Sequence, residues 1–337
     1  MRKRRIIGTL LCIGIMLTCM MGCETSENNI KADNEINAAD EDVMIAEDTG
    51  ADEQIGSDNR VAADEQIESG DRAETDNHLA TDDAVEEENE TAKEEVQPEG
   101  PSLTIFGDSI STFEGYIPEG FAVFYPHNGT VTDVSQTWWM RLLKDTEMEL
   151  CSNDSSSGST CTGDSLNNDN PGYGCNDYRI SMVTGKHGIV PDIIIVYLGT
   201  NDLLVSAELG DNDGTRVVED GEIWYFTDAY TIILDKLATN YPAAQIYCCT
   251  LAPIGDWGTD SPFVTFTNSL GLTYEDYSEQ IRIIANNKGI PVIDLTDCGI
   301  EIDNLHVMTS DGVHLTPDGM ECVERAILHS MEPAAEE

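Results

Sequence analysis

Four short clusters in this 337-residue chain combine hydroxyl, carboxylate, amide and imidazole groups in patterns that suit attack on a carbonyl. They are Gly107-Asp108-Ser109-Ile110-Ser111, Asn153-Asp154-Ser155-Ser156-Ser157-Gly158-Ser159, Gly199-Thr200-Asn201-Asp202 and Asp311-Gly312-Val313-His314. A serine hydroxyl is a poor nucleophile until a base takes its proton, and neutral imidazole titrates in the useful range. Asp311 stands three residues before His314 on one tight turn, close enough to accept Nδ1–H and fix the tautomer. Negative charge that develops on the attacked oxygen needs preorganised N–H donors, and an Asn amide such as Asn201 donates without titrating. Taken singly, each residue has a plainer role. Ser109 could cap a helix, Asp311 could be a turn residue beside Gly312, and Asn201 could cap a loop. Asp108 is read as supporting its loop. His78, His127, His187, His306 and His329 lack an Asp at this spacing before a helix; His306 is the rival base among them.

Positioning these clusters requires a scaffold, and the hydrophobic pattern supplies one. Apolar runs at 103–106, 192–198, 244–251 and 290–295, with a weaker one at 148–151, read as strands. The run at 192–198 is continuously apolar, as in a strand buried on both faces. Helical periodicity falls at 137–144, 228–240, 274–288 and 317–330. The last of these has Thr316 as N-cap and Pro317 at its first position. Alternating strands and helices imply a parallel sheet covered on both faces. In such sheets functional residues gather beyond the carboxyl ends of the strands, where three of the clusters lie; the fourth precedes the last helix.

The four motifs, in this order through 103–330, resemble the GDSL, or SGNH, hydrolase family. The resemblance implies a three-layer α/β/α sandwich with a mostly parallel, flavodoxin-like sheet. It also implies a serine ester hydrolase with Ser109 as nucleophile, His314 as base and Asp311 as orienting carboxylate. The backbone N–H groups of Ser109 and Gly158 and the Asn201 amide become the oxyanion donors. Such enzymes cleave O-acetyl groups from polysaccharides, short acyl esters, lysophospholipids or acyl thioesters. The absence of G-x-S-x-G, H-E-x-x-H, Walker A and dinucleotide motifs argues against other hydrolase, zinc, nucleotide and NAD readings. No cofactor or metal is expected.

Composition divides the chain into three parts. Basic Arg2–Arg5 and the apolar stretch 6–21 form an export signal over 1–22, too short for a membrane span, which needs about 20 residues. Met20-Met21-Gly22-Cys23 resembles a bacterial lipobox, although it lacks the usual Leu and small residue; lipidation of Cys23 would anchor the chain to the outer face of the cell membrane. Residues 24–100 contain no Phe, Trp, Tyr or Cys and carry 27 acidic against 4 basic side chains, so they are expected to form a disordered tether over 23–100. A decayed twelve-residue repeat, Ala51-Asp52-Glu53-Gln54-Ile55 echoed at 63–67, fits an expanded spacer. The remaining 101–337 is one domain in size.

The net charge of −47 repels nucleic acid, which is not an expected partner. The cysteines of the domain are odd in number; Cys161 with Cys175 could bridge a loop, and no pairing is assigned. An exported, tethered esterase meets polymers outside the cell, so the expected substrate is an acetylated saccharide. Phe113, Tyr116, Phe124, Tyr125, Trp138, Trp139, Trp224, Tyr225 and Trp257 are candidates for a sugar platform, although one of the tryptophan pair is read as core. Loops 203–226 and 255–273 follow strands and should rim the site. A lysophospholipase or thioesterase, or a surface module that binds without turnover, remains the alternative.

Overall fold

The computed structural model describes residues 100–332 except 167, 186–187 and 257–262. The export signal, Cys23, the tether up to residue 99 and Trp257 lie outside the described residues. The strands among the described residues are β1 (Ser102–Gly107), β2 (Glu149–Ser155), β3 (Gly163–Asp164), β4 (Ile193–Tyr197), β5 (Glu222–Ile223), β6 (Gln245–Cys249) and β7 (Val292–Ile293). The helices are α1 (Trp138–Asp145), α2 (Asp177–Ser181), α3 (Thr200–Leu204), α4 (Phe226–Asn240), α5 (Tyr274–Asn287), α6 (Leu305–Met308) and α7 (Pro317–Met331).

Five strands form a parallel sheet in the order β2-β1-β4-β6-β7, and β3 pairs with β5 in a small antiparallel ribbon. Side chains alternate between the faces of a strand, and here both faces are buried. Leu103, Ile105, Ile195 and Tyr197 pack with Trp138, Leu142, Met320 and Ile327 on one side. Phe106, Ile194 and Val196 pack with Ile233, Leu237, Ile281 and Ile284 on the other. The sheet therefore lies between α1 and α7 on one face and α4 and α5 on the other, giving the three-layer α/β/α sandwich. Two-sided burial explains the unbroken apolar run of β4.

The long helices follow the periodicity closely, and Thr316 caps α7 by accepting the Gly319 N–H. Two strands differ from expectation. β2 runs on through Asn153, Asp154 and Ser155, because polar side chains can stay in a buried strand when partners meet them: Asn153 Nδ2 donates to Ser111 O at 2.9 Å, and Asp154 pairs with Arg179. β7 stops after Ile293, where Leu295 N–H donates to the Thr250 side chain instead of continuing the ladder. Cys161 and Cys175 are free, buried thiols joined only through their backbones, Cys175 N–H donating to Cys161 O at 3.2 Å.

Candidate active site

Gly107, the last residue of β1, is in register with Ser155 at the end of β2 and Tyr197 at the end of β4. The chain leaves β1 for β2 on one side, then reaches β4 on the other side of β1. In such sheets the carboxyl ends of the strands at this reversal are the usual ligand site. Ser109, the turn carrying Gly158, and Asn201 all emerge there.

Ser109 opens a single 3₁₀ turn, Ser109–Ser111, capped by the Asp108 carboxylate, which accepts the Ile110 N–H at 3.0 Å. The turn is clamped from behind. Trp138 Nε1 donates to Ser111 Oγ at 3.1 Å and Trp139 Nε1 donates to Ser111 O at 3.0 Å. Both tryptophans are fully buried, so neither can serve as a sugar platform; they anchor the nucleophile turn instead. Gly107 is needed for this closeness, since a Cβ there would lie 2.9 Å from both Ser111 Oγ and Ser155 Oγ.

His314 reaches across from the turn before α7. Its Nε2 lies 3.0 Å from Ser109 Oγ, and its Nδ1 lies 2.7 Å from Asp311 Oδ2. The other Asp311 oxygen accepts the backbone N–H groups of Val313 and His314. Burial pushes the Asp311 carboxyl up, but the hydrogen bonds from His314 and these backbone groups outweigh it and hold the group below the usual carboxylate range. With Nδ1–H donated to an ionised Asp311, Nε2 is the lone pair that faces the serine hydroxyl. His306 makes no such contact among the described residues.

The turn after β2 brings Gly158 into the left-handed region at φ +77°, a conformation that favours glycine. Among the described residues neither the Gly158 N–H nor the Ser109 N–H has a hydrogen-bond acceptor, and the Asn201 amide lies in the same group. Asn201 Nδ2 donates to Ser159 O at 2.9 Å and lies 3.5 Å from Asp108 Oδ2. The second contact is at the long limit of a hydrogen bond, so a nearby oxyanion can take that proton over. Burial lifts Asp108 to about 6.

Residues outside the four motifs hold this group in place. Arg179, fully buried on α2, uses all five of its N–H donors: to Asp154 Oδ1, Asp154 O, Ser159 Oγ, Pro171 O and Gly107 O, at 2.6–3.1 Å. It thereby ties the ends of β1 and β2 to the Gly158 turn. Asp202 accepts from Cys161 N–H, Thr162 N–H and the Thr162 hydroxyl, so it braces the loop behind Asn201. At the start of the 255–273 loop, Gly255 N–H donates to Gly312 O at 2.9 Å, within the histidine turn. The 203–226 loop is laced to α4 and α5, for example by Asn212 Nδ2 to Asp228 and Asn287 Nδ2 to Asp213 O. Arg179 left one sequence signal, as the single Lys or Arg between Lys144 and Lys186. Among the described residues no cluster of three or more His, Cys, Asp or Glu could hold a metal ion.

Residues 101–261 match the family model described as GDSL-like Lipase/Acylhydrolase. Over this span the chain carries a GDSL-like hydrolase domain. As a GDSL-type hydrolase it is a serine ester hydrolase. Ser109, Gly158 and Asn201 fall inside the matched span, whereas Asp311 and His314 lie beyond it and join the GDSL site through the contacts above. Solved structures similar to this GDSL-type chain include a candidate GDSL-like lipase from Bacteroides ovatus, 29% identical, covering 68% of this chain and 97% of that one with a TM-score of 0.49. A second, from Bacteroides uniformis, is 26% identical over 69% and 96% of the two chains, with a TM-score of 0.49. A protein from Lactobacillus plantarum, 21% identical over 68% and 95%, has a TM-score of 0.51. A search of curated proteins gives no match.

Proposed function

We propose that the protein is an extracytoplasmic serine esterase that removes O-acetyl or other short acyl groups from carbohydrate. The observation that carries the catalytic part is the unbroken chain from Ser109 Oγ through His314 to Asp311. Ser109 Oγ attacks the ester carbonyl as its proton passes to His314 Nε2, and Asp311 stabilises the resulting imidazolium. The oxyanion is met by the N–H groups of Ser109, Gly158 and Asn201. Collapse breaks the ester C–O bond, and His314 returns the proton to the departing alcohol. Water then repeats the sequence on acyl-Ser109, with His314 again as base, and releases the carboxylic acid.

The substrate side rests on surroundings. Ser109 is only 4% exposed, which suits a small acyl group. The flanking loops are polar and acidic, unlike the lining an acyl chain would want. Trp224, 65% exposed, and Tyr116, tilted over Trp139, offer aromatic faces to a sugar. The sequence supplies the location: an export signal over 1–22, a lipidated Cys23 and an acidic tether over 23–100 would hold domain 101–337 outside the cell.

The test compares acetate released from acetylated xylan or pectin with fatty acid released from lysophospholipid. Faster turnover of the polysaccharide supports the proposal, and preference for the lipid overturns the substrate choice. Cys23→Ala should free the protein from membranes, and continued membrane retention would refute the anchor.

A further inference from the structure

The segment from Phe121 to Tyr125 belongs to none of the four motifs, yet it spans between two of them. At one end Ser157 N–H donates to Ala122 O at 2.8 Å and Ala122 N–H donates to Ser156 Oγ at 3.3 Å, joining the segment to the Gly158 turn. Further along, Phe124 N–H donates to Thr112 Oγ1 at 2.9 Å, and the Tyr125 hydroxyl donates to Leu315 O at 2.9 Å, beside His314. Between these anchors the Phe124 ring lies flat on the His314 imidazole, with centroids 3.6 Å apart and 10° between the planes. The Phe124 and Tyr125 rings meet edge to face with centroids 4.8 Å apart, and a Cβ at Gly129 would lie 3.2 Å from Phe124 Cε1. The phenyl ring is thus wedged, and one of its faces is already occupied by the histidine rather than open to a sugar.

Two hydrogen bonds reach the His314 ring, at Nδ1 and Nε2, atoms whose N–H or lone pair lies in the ring plane. They fix the two nitrogens but leave the ring free to tilt about the line between its partners. The stack removes that freedom. Tilt matters most once the serine proton is on Nε2, because the N–H must then point at the departing oxygen. A cation over an aromatic face is also attracted by the ring's quadrupole, so the stack favours the imidazolium that forms during reaction.

We propose that Phe124 is a positioning residue that acts through His314, setting the direction in which the imidazolium delivers its proton. This rests on the reading of Ser109 and His314 as nucleophile and base. The proton moves from Ser109 Oγ to Nε2 as the Oγ–C bond forms, then from Nε2 to the alcohol as the ester C–O bond breaks. An alkyl alcohol needs that second transfer; 4-nitrophenolate leaves without it.

The experiment measures kcat and KM of wild type, Phe124→Leu, Phe124→Met, Phe124→Tyr and Ser109→Ala on ethyl acetate and on 4-nitrophenyl acetate. The Leu and Met variants should lose roughly tenfold in kcat on ethyl acetate, with KM within about twofold. Their loss in kcat/KM on 4-nitrophenyl acetate, which reports acylation alone, should be smaller, and Phe124→Tyr should stay within about threefold of wild type. Two non-aromatic variants keep the test available if one fails to fold. A wild-type rate in Phe124→Leu or Phe124→Met, equal losses on both esters, or a Tyr variant as slow as the Leu variant would overturn the inference. Should Ser109→Ala retain full activity, the underlying assignment fails instead; an inactive Ser109→Ala beside a fully active Phe124→Leu condemns the role of Phe124 alone.

Discussion

Asp311 grips His314 at two points: Oδ1 accepts the histidine's backbone N–H at 2.7 Å, and Oδ2 meets ring Nδ1 at 2.7 Å. One carboxylate therefore fixes both the turn and the tautomer. Three-residue spacing makes this possible, since a closed turn folds the imidazole back over the carboxylate that precedes it.

Asp311→Asn should leave the turn formed but present an amide that can donate to Nδ1 and favour the wrong tautomer. A loss of about 10⁴ in kcat is expected, with KM little altered. Steady-state kinetics on 4-nitrophenyl acetate measures it, and a loss below tenfold would mean that Asp311 does not set the tautomer.

Asn201 donates to Ser159 O and has a second proton directed at Asp108 across 3.5 Å. Asn201→Ala should cost about 10²–10³ in kcat, the usual price of one oxyanion donor. The loss should appear in kcat and kcat/KM together; a rise in KM alone would make Asn201 a ground-state binding group.

Arg179 is fully buried and satisfied by five acceptors, so removing it strands Asp154 and loosens the Gly158 turn. Arg179→Met should lower unfolding stability by about 3–5 kcal/mol. Arg179→Lys should recover little, because an ammonium cannot serve acceptors spread around a planar fork. Urea denaturation reads both, and a fully stable Lys variant would contradict the geometric argument.

Burial raises Asp108 from 3.8 to about 6, so the folded protein holds this proton more tightly than the unfolded chain does. Its contribution therefore favours folding below about pH 4 and is lost as pH rises through about 6. Asp108→Asn has no proton to lose. Its stability relative to wild type should rise by about 2 kcal/mol between pH 4 and pH 7. Urea titrations of both proteins at the two pH values measure this, and parallel behaviour would place the titration elsewhere.

Much of the sandwich is legible in the sequence because two-sided burial leaves a plain trace: an unbroken apolar run for β4, largely apolar runs for β1 and β6, and 3.6-residue periodicity for α1, α4, α5 and α7. The clusters around Ser109, Asn201, Asp311 and His314 are legible because turn chemistry is local and each sits at the end of an element, whereas the part given to Gly158 follows from the resemblance alone. Phe124 is not legible, since its partner lies 190 residues away and no periodicity links an aromatic in a loop to a distant imidazole. Asp154 and Asn153 misled the reading of β2 for the same reason: their partners, Arg179 and Ser111, are supplied by other segments. Trp138 and Trp139, expected as platform or core, are both buried, and their indole N–H groups hold Ser111.

The nucleophile is the centre of this account, and one comparison tests it directly: hydrolysis of 4-nitrophenyl acetate by wild type and by Ser109→Ala at equal concentrations of folded protein. Loss of the oxygen that lies 3.0 Å from His314 Nε2 should reduce kcat by about 10⁶, to a residue of oxyanion stabilisation and binding. Equal rates in the two proteins would show that the ester is cleaved without Ser109.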